Sequence, residues 1–181
     1  MTLPNFITIA RFAMVPLIIM AMINGEMLMA FALFVLAGVS DGLDGFIARH
    51  FNQKTELGAW LDPIADKFLL VSVFIVLGWL GVLPSWLVIF AVSRDAMIVG
   101  AVVLSSLLDK PVKMRPLMVS KANTMAQIIL LVLVLADLAG LGQLDAVVRG
   151  MIYAVAALTI ASASAYLVTW LRHMNGGGKD N

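Results

Sequence analysis

Residues 27–80 read MLMAFALFVLAGVSDGLDGFIARHFNQKTELGAWLDPIADKFLLVSVFIVLGWL, and this stretch decides the fold. Two long apolar runs flank a short polar link from His50 to Glu56. Each run carries two aspartates on the side of that link: Asp41 and Asp44 before it, Asp62 and Asp66 after it. The apolar residues follow one another continuously and do not alternate, which argues against the strands of an outer-membrane barrel. About 20 residues suffice for one helical crossing of a bilayer, and each run is that long. The stretch therefore predicts two membrane helices with carboxylates gathered at their linked ends.

The rest of the chain agrees. Of its 181 residues, 62% are apolar and 13% are charged, against about 25% charged in an ordinary soluble domain. Mean hydropathy is +1.01. A water-soluble fold of this length has too little interior to hide so much apolar side chain. Long, sparsely charged apolar runs also exclude disorder, collagen and coiled coil. The expected fold class is an all-α polytopic membrane protein. Its six transmembrane helices are expected at roughly 4–23, 27–49, 57–80, 84–108, 117–138 and 147–171. Residues 1–174 are expected to form a single membrane domain, with 175–181 as a flexible polar tail.

Loop charge sets the orientation. Arg49, Lys54, Lys110, Lys113, Arg115, Arg172 and Lys179 fall on one side of a six-span chain. Arg149 stands on the other side with Glu26, Asp137 and Asp145. The positive-inside rule then places both termini in the cytoplasm. The N-terminus has neither a cationic segment with a cleavage site nor an Arg- and Ser-rich transit pattern, so the first run is expected to stay as a span. That favours a bacterial inner membrane, with the chemistry near its cytoplasmic face. Cysteine is absent, which removes disulfides and thiolate sites. A net charge of +1 gives no reason to expect nucleic acid.

Ionisable groups inside a span are costly and point to function. Asp41 and Asp44 are spaced i, i+3, and Asp62 and Asp66 i, i+4, so each pair shares a helix face. Two like charges about 4 Å apart repel by roughly 4 kcal/mol at an effective dielectric of about 20. Four carboxylates at one depth would not all stay ionised without cations. Oxygen-only ligands suit Mg²⁺, Mn²⁺ or Ca²⁺, and the arrangement suits a two-metal site acting on phosphoryl groups. Gly45, Ala48 and Gly58 leave room for a flat ligand or for close helix packing, and Gly38-x3-Gly42 is a candidate packing pair. Arg49 has the planar fork of a phosphate binder, or snorkels at the interface.

Taken together, Asp41-x2-Asp44-Gly45-x2-Ala48-Arg49-x8-Gly58-x3-Asp62-x3-Asp66 resembles the signature of the CDP-alcohol phosphatidyltransferase family at every position and spacing. The resemblance implies a six-helix enzyme, usually a homodimer, that uses two divalent cations, Mg²⁺ or Mn²⁺. It implies that Asp41, Asp44, Asp62 and Asp66 hold the metals, and that Asp66 doubles as the general base. It implies a CDP-lipid site that includes Asp44, Gly45, Ala48, Arg49 and Gly58. Asn5, Thr8 and Arg11 resemble a further element, N-x-x-T-x-x-R, near that nucleotide site; capping at the interface is the bland reading of Asn5 and Thr8.

The acceptor is set outside the signature. Leu36-Ala37-Gly38, Ser93-Arg94-Asp95-Ala96-Met97, Ser120-Lys121-Ala122-Asn123-Thr124 with Gln127, and Ala161 to Tyr166 resemble most the branch of the family that forms cardiolipin. This implies transfer of a phosphatidyl group from CDP-diacylglycerol to phosphatidylglycerol, with release of CMP. The runner-up acceptor is glycerol 3-phosphate, giving phosphatidylglycerophosphate. Arg94 is either an acceptor-phosphate contact or half of a buried ion pair. Lys113, Arg115 and Lys121 are candidates to hold an anionic head group at the bilayer surface, or ordinary positive-inside anchors. An ion transporter is the rival from another class; aspartates confined to one membrane face, without inverted repeats, speak against it.

Overall fold

The structure, a computed structural model, describes the backbone of residues 3–50, 56–107 and 118–175, and the side chains of 9–40, 42, 65–98, 100 and 118–168. Six helices follow in order: α1 (Leu3–Ile23), α2 (Met27–His50), α3 (Glu56–Trp79), α4 (Ser85–Leu107), α5 (Met118–Leu138) and α6 (Asp145–Asn175). Among the described residues there is no strand. The expected spans match these helices closely at five of the six. The sixth is longer at both ends, beginning at Asp145 and running to Asn175.

Three helices stop at a glycine for the same reason. Gly25, Gly81 and Gly140 have φ of 78°, 73° and 73°, a left-handed conformation that costs glycine little. Around each, two backbone N–H groups fold back onto the last turn. Glu26 N bonds Ala21 O at 2.8 Å, Val82 N bonds Leu77 O at 3.0 Å, and Leu141 N bonds Ala136 O at 3.0 Å. These are Schellman caps. They lie at the end of the bundle away from Asp41, Asp44, Asp62 and Asp66 and keep its links short. Asp137 ties the last of them, accepting from the Leu144 N–H at 2.8 Å.

α1 packs on α2 and α3, α5 on α6 and α2, and α4 on α6, with lighter contacts from α3 to α4 and α5. The core is built from single helix faces. Val15, Ile18 and Met22 of α1, and Leu70, Val73 and Leu77 of α3, are buried at the 3-, 4- and 7-residue spacing of one stripe, and Leu130, Val134 and Leu135 of α5 are buried with them. The outward faces are apolar as well: Met20, Trp79, Ile89, Met125 and Tyr153 are exposed. A helix apolar on all sides belongs in a protein interior or a bilayer. α5, over Met118–Leu138, and α6, over Asp145–Val168, are long and apolar enough to cross a membrane. α1 and α2 carry shorter apolar stretches over Ile9–Ile23 and Met27–Ser40.

One close helix contact uses glycine. A Cβ on Gly78 would stand 2.8 Å from Cγ2 of Val88, so α3 and α4 meet there too tightly for any larger residue. The expected packing pair is different. Among the described residues nothing lies within 4 Å of a Cβ placed on Gly38 or Gly42.

Candidate active site

The inward stripe of each helix changes character toward one end of the bundle. On α1 the buried residue one turn before Val15 is Arg11. On α3 the residue one turn before Leu70 is Asp66. On α4, buried Leu87 and Ala91 lead to buried Arg94 and Asp95. On α5, buried Asn123 and Gln127 precede Leu130, and on α6, Thr159, Ser162 and Tyr166 follow Val155. The same helical periodicity that builds the core therefore delivers polar groups to a common level.

Two clusters form there. In the first, Arg11 is fully buried, and its Nη1 donates to Asp66 Oδ1 at 2.7 Å, joining α1 to α3. The Asp66 side chain is 43% exposed. A carboxylate oriented by a buried guanidinium and still exposed to this extent can meet a ligand. Arg11 itself is enclosed, so in this arrangement it acts on the opening through Asp66.

In the second cluster, Asp95 sits between two cations. Lys67 Nζ donates to Asp95 Oδ2 at 2.7 Å, and Arg94 Nη1 donates to Asp95 Oδ1 at 2.6 Å. Arg94 Nη2 donates to Ser162 Oγ at 2.7 Å and also to Ser120 Oγ, and Nε donates to Ser162 Oγ at 3.1 Å. Its Cζ lies 5.8 Å from the centre of the Tyr166 ring, within the range of a cation–π contact. Beside this, the Thr159 hydroxyl donates to Asn123 Oδ1 at 3.0 Å. The cluster ties α3, α4, α5 and α6 together.

These contacts bear on the two readings of Arg94. It is 3% exposed and engaged with a carboxylate, two hydroxyls and a ring, the arrangement that the ion-pair reading describes. Arg94 is half of a buried ion pair. The polar stripe of α5 divides as well. Ser120 accepts from Arg94, Asn123 and Gln127 are buried, and Lys121 is exposed. Thr124 donates back to the Ser120 carbonyl at 3.2 Å.

The remaining expected site residues are placed by backbone alone. Asn5 and Thr8 lie on α1, Asp41, Asp44, Gly45, Ala48 and Arg49 on α2, and Gly58 and Asp62 on α3. Their side chains lie outside the described residues, as do Lys113 and Arg115 entirely. Unbroken helix through 41–44 and 62–66 keeps each aspartate pair on one face. Among the described residues no group of three His, Cys, Asp or Glu gathers, and Asp66 is the single member of the four-aspartate set whose side chain is described. Its carboxylate is open to the outside and the full donor set is oxygen only, which fits a hard divalent cation.

The sequence alone assigns no individual role to Lys67, Ser162 or Tyr166. Their signal was present: Lys67 is a charged residue within an apolar helix, and Ser162 and Tyr166 are spaced i, i+4. What the sequence lacked was the pairing of helices that brings them to Arg94 and Asp95.

Comparison with known proteins places the chain. A family model, CDP-alcohol phosphatidyltransferase, matches residues 1–170. The cardiolipin synthases (CMP-forming) of Rattus norvegicus and Homo sapiens are each 33% identical over 91% of this chain, which covers 59% and 60% of their lengths. A probable phosphatidylglycerophosphate synthase of Mycobacterium tuberculosis is 32% identical over 96% of this chain and 84% of its own length. The chain thus spans about three fifths of the mammalian relatives it matches.

Proposed function

The chain belongs to the CDP-alcohol phosphatidyltransferase family, and from that premise we propose that it transfers a phosphatidyl group from CDP-diacylglycerol to phosphatidylglycerol, forming cardiolipin and CMP. The acceptor rests on the similarity to the two mammalian cardiolipin synthases. The observation that carries the chemistry is Asp66, oriented by the buried Arg11 and with its side chain 43% exposed.

The family is generally dependent on divalent metal. In the proposal, Asp41, Asp44, Asp62 and Asp66 hold two cations, Mg²⁺ or Mn²⁺. When bound, such cations neutralise pyrophosphate charge and favour the deprotonated form of a nearby hydroxyl. The chain's own residues do the rest. Arg11 fixes the direction of the Asp66 carboxylate. Asp66 takes the proton of the acceptor's primary hydroxyl. The acceptor oxygen bonds to the lipid-side phosphorus, the bond from that phosphorus to the CMP oxygen breaks, and CMP leaves. Gly45, Ala48 and Gly58 give the cytidine room against the backbone, with Asn5, Thr8, Asp44 and Arg49 around the CDP-lipid. Lys113, Arg115 and Lys121 attract the anionic acceptor at the surface. Catalysis of this kind rests on positioning and charge stabilisation.

The reading includes six spans, cytoplasmic termini, a homodimer, and a bacterial inner membrane with the site near its cytoplasmic face. The apolar outward faces of the bundle support the membrane setting. A second reading has its own support: the mycobacterial relative is covered over most of its length, and glycerol 3-phosphate would then be the acceptor. The test is an acceptor assay in detergent micelles with CDP-diacylglycerol and Mg²⁺ or Mn²⁺. Parallel reactions contain phosphatidylglycerol, glycerol 3-phosphate or neither, and products are read by mass spectrometry. Cardiolipin formed with phosphatidylglycerol is the expected result. Phosphatidylglycerophosphate formed with glycerol 3-phosphate, and no cardiolipin, would replace the first reading by the second.

A further inference from the structure

The second ion-pair cluster is not electrically balanced. Lys67 and Arg94 bring two positive charges to the single negative charge of Asp95. The other partners of Arg94 are hydroxyls and a ring, which are neutral. Arg11 pairs with Asp66 and stands apart from the sum. One positive charge is therefore left over in a poorly solvated place, where an uncompensated ion is costly. Arg94 is enclosed, whereas the Lys67 side chain is 35% exposed. The surplus charge reaches the outside through Lys67.

Lys67 also stands beside Asp66 in the chain. Successive residues on a helix point about 100° apart. Asp66 turns to α1 and Lys67 turns to α4, and both remain partly open. A lysine ammonium has three donors. One is engaged by Asp95, and among the described residues the other two have no partner.

We propose that Lys67 binds the phosphate of the acceptor, and that Asp95 is the positioning residue that holds its ammonium toward the opening. The inference rests on the phosphatidyltransferase reading but not on which acceptor is used. Phosphatidylglycerol and glycerol 3-phosphate share one feature: a free primary hydroxyl and a phosphate ester on the same three-carbon unit. A ligand of that shape can offer its hydroxyl to Asp66 while its phosphate meets Lys67. The Arg94 contacts with Ser120, Ser162 and Tyr166 keep Asp95 in place from behind.

The experiment measures CMP release by the purified full chain at varied acceptor and varied CDP-diacylglycerol. Wild type is compared with Lys67→Gln, Lys67→Arg and Asp95→Asn, using whichever acceptor wild type turns over. Lys67→Gln is expected to raise the acceptor KM by about 10- to 100-fold, the size of a lost charge-assisted hydrogen bond. The KM for CDP-diacylglycerol should move by less than about threefold, the scatter expected of a residue that does not touch it. Lys67→Arg should recover most of the acceptor KM. Asp95→Asn, which leaves the ammonium charged but untethered, should raise the acceptor KM as well. An unchanged acceptor KM in Lys67→Gln overturns the proposal, and so does a rise confined to the CDP-diacylglycerol KM. If Lys67→Gln gives no measurable turnover, the other two variants decide: loss of turnover in Lys67→Arg, or an unchanged acceptor KM in Asp95→Asn, overturns it. A wild type inactive with both acceptors would overturn the phosphatidyltransferase reading and this inference with it. An active wild type with an insensitive acceptor KM would overturn this inference alone.

Discussion

Asp66 and Asp95 lie in neighbouring helices, and each accepts an ion pair from a buried arginine at 2.7 Å and 2.6 Å. They differ in everything else that matters to chemistry. Asp95 is 8% exposed, with a cation on each oxygen, and one of those cations is anchored by two further helices. Asp66 is half open. A carboxylate boxed in on all sides spends its acceptor capacity on the fold. One that keeps much of its surface exposed beside its arginine is oriented and can still meet a ligand. The difference teaches that a buried arginine partner does not by itself mark a structural carboxylate; what the other side of the carboxylate faces decides its use.

The largest expected effect attacks the open carboxylate through its ligands. Chelation of divalent cations should lower CMP release on the order of 10³-fold, restored by added Mg²⁺ or Mn²⁺. Full activity in excess chelator would remove the metal from the account. Next comes the arginine behind Asp66. Arg11→Lys keeps the charge but loses the planar fork, and a misaligned base costs on the order of 10- to 100-fold in kcat. The KM for CDP-diacylglycerol should stay near wild type; a rise in that KM with kcat preserved would make Arg11 a substrate contact.

Smaller effects belong to the boxed-in side and to packing. Gly78→Ala forces a methyl group against Val88, and overpacking of this kind costs about 1–2 kcal/mol. The thermal midpoint in micelles should fall while kcat holds. Ser162→Ala removes an acceptor from Arg94, at about 1 kcal/mol for one hydrogen bond. A midpoint unchanged in Ser162→Ala would show that Asp95 and Ser120 suffice to hold the guanidinium.

Much of this was legible in the sequence, for identifiable reasons. The helices are legible because apolar runs end at Gly25, Gly81 and Gly140, whose left-handed φ closes each cap. The extra length of α6 is less so, because its ends lie beyond the apolar run, at Asp145 and Asn175. Asp66 stands out as a charge at i, i+4 from another in an apolar helix. Its pairing with Arg11 does not, because the two are 55 residues apart and only the packing of α1 on α3 joins them. Arg94 left two readings open from sequence, since burial and exposure of a mid-helix arginine depend on its neighbours. Lys67 has no role legible from sequence because that role depends on the charge count of a cluster drawn from α3 and α4. Spacing along one helix reports faces; it does not report which faces meet.

The most direct test of the account pairs the two aspartates. Asp66→Asn and Asp95→Asn are purified side by side, and CMP release and thermal midpoint are measured for each. Asp66→Asn should lose about 10³-fold or more in turnover, within the range of a lost general base, with the smaller fall in midpoint because Asp66 is partly solvated. Asp95→Asn strands two cations, should cost about 3 kcal/mol of stability, and should keep measurable turnover at saturating acceptor. Turnover within about tenfold of wild type in Asp66→Asn, well short of the loss expected for a general base, would contradict the assignment of Asp66 as the reactive carboxylate.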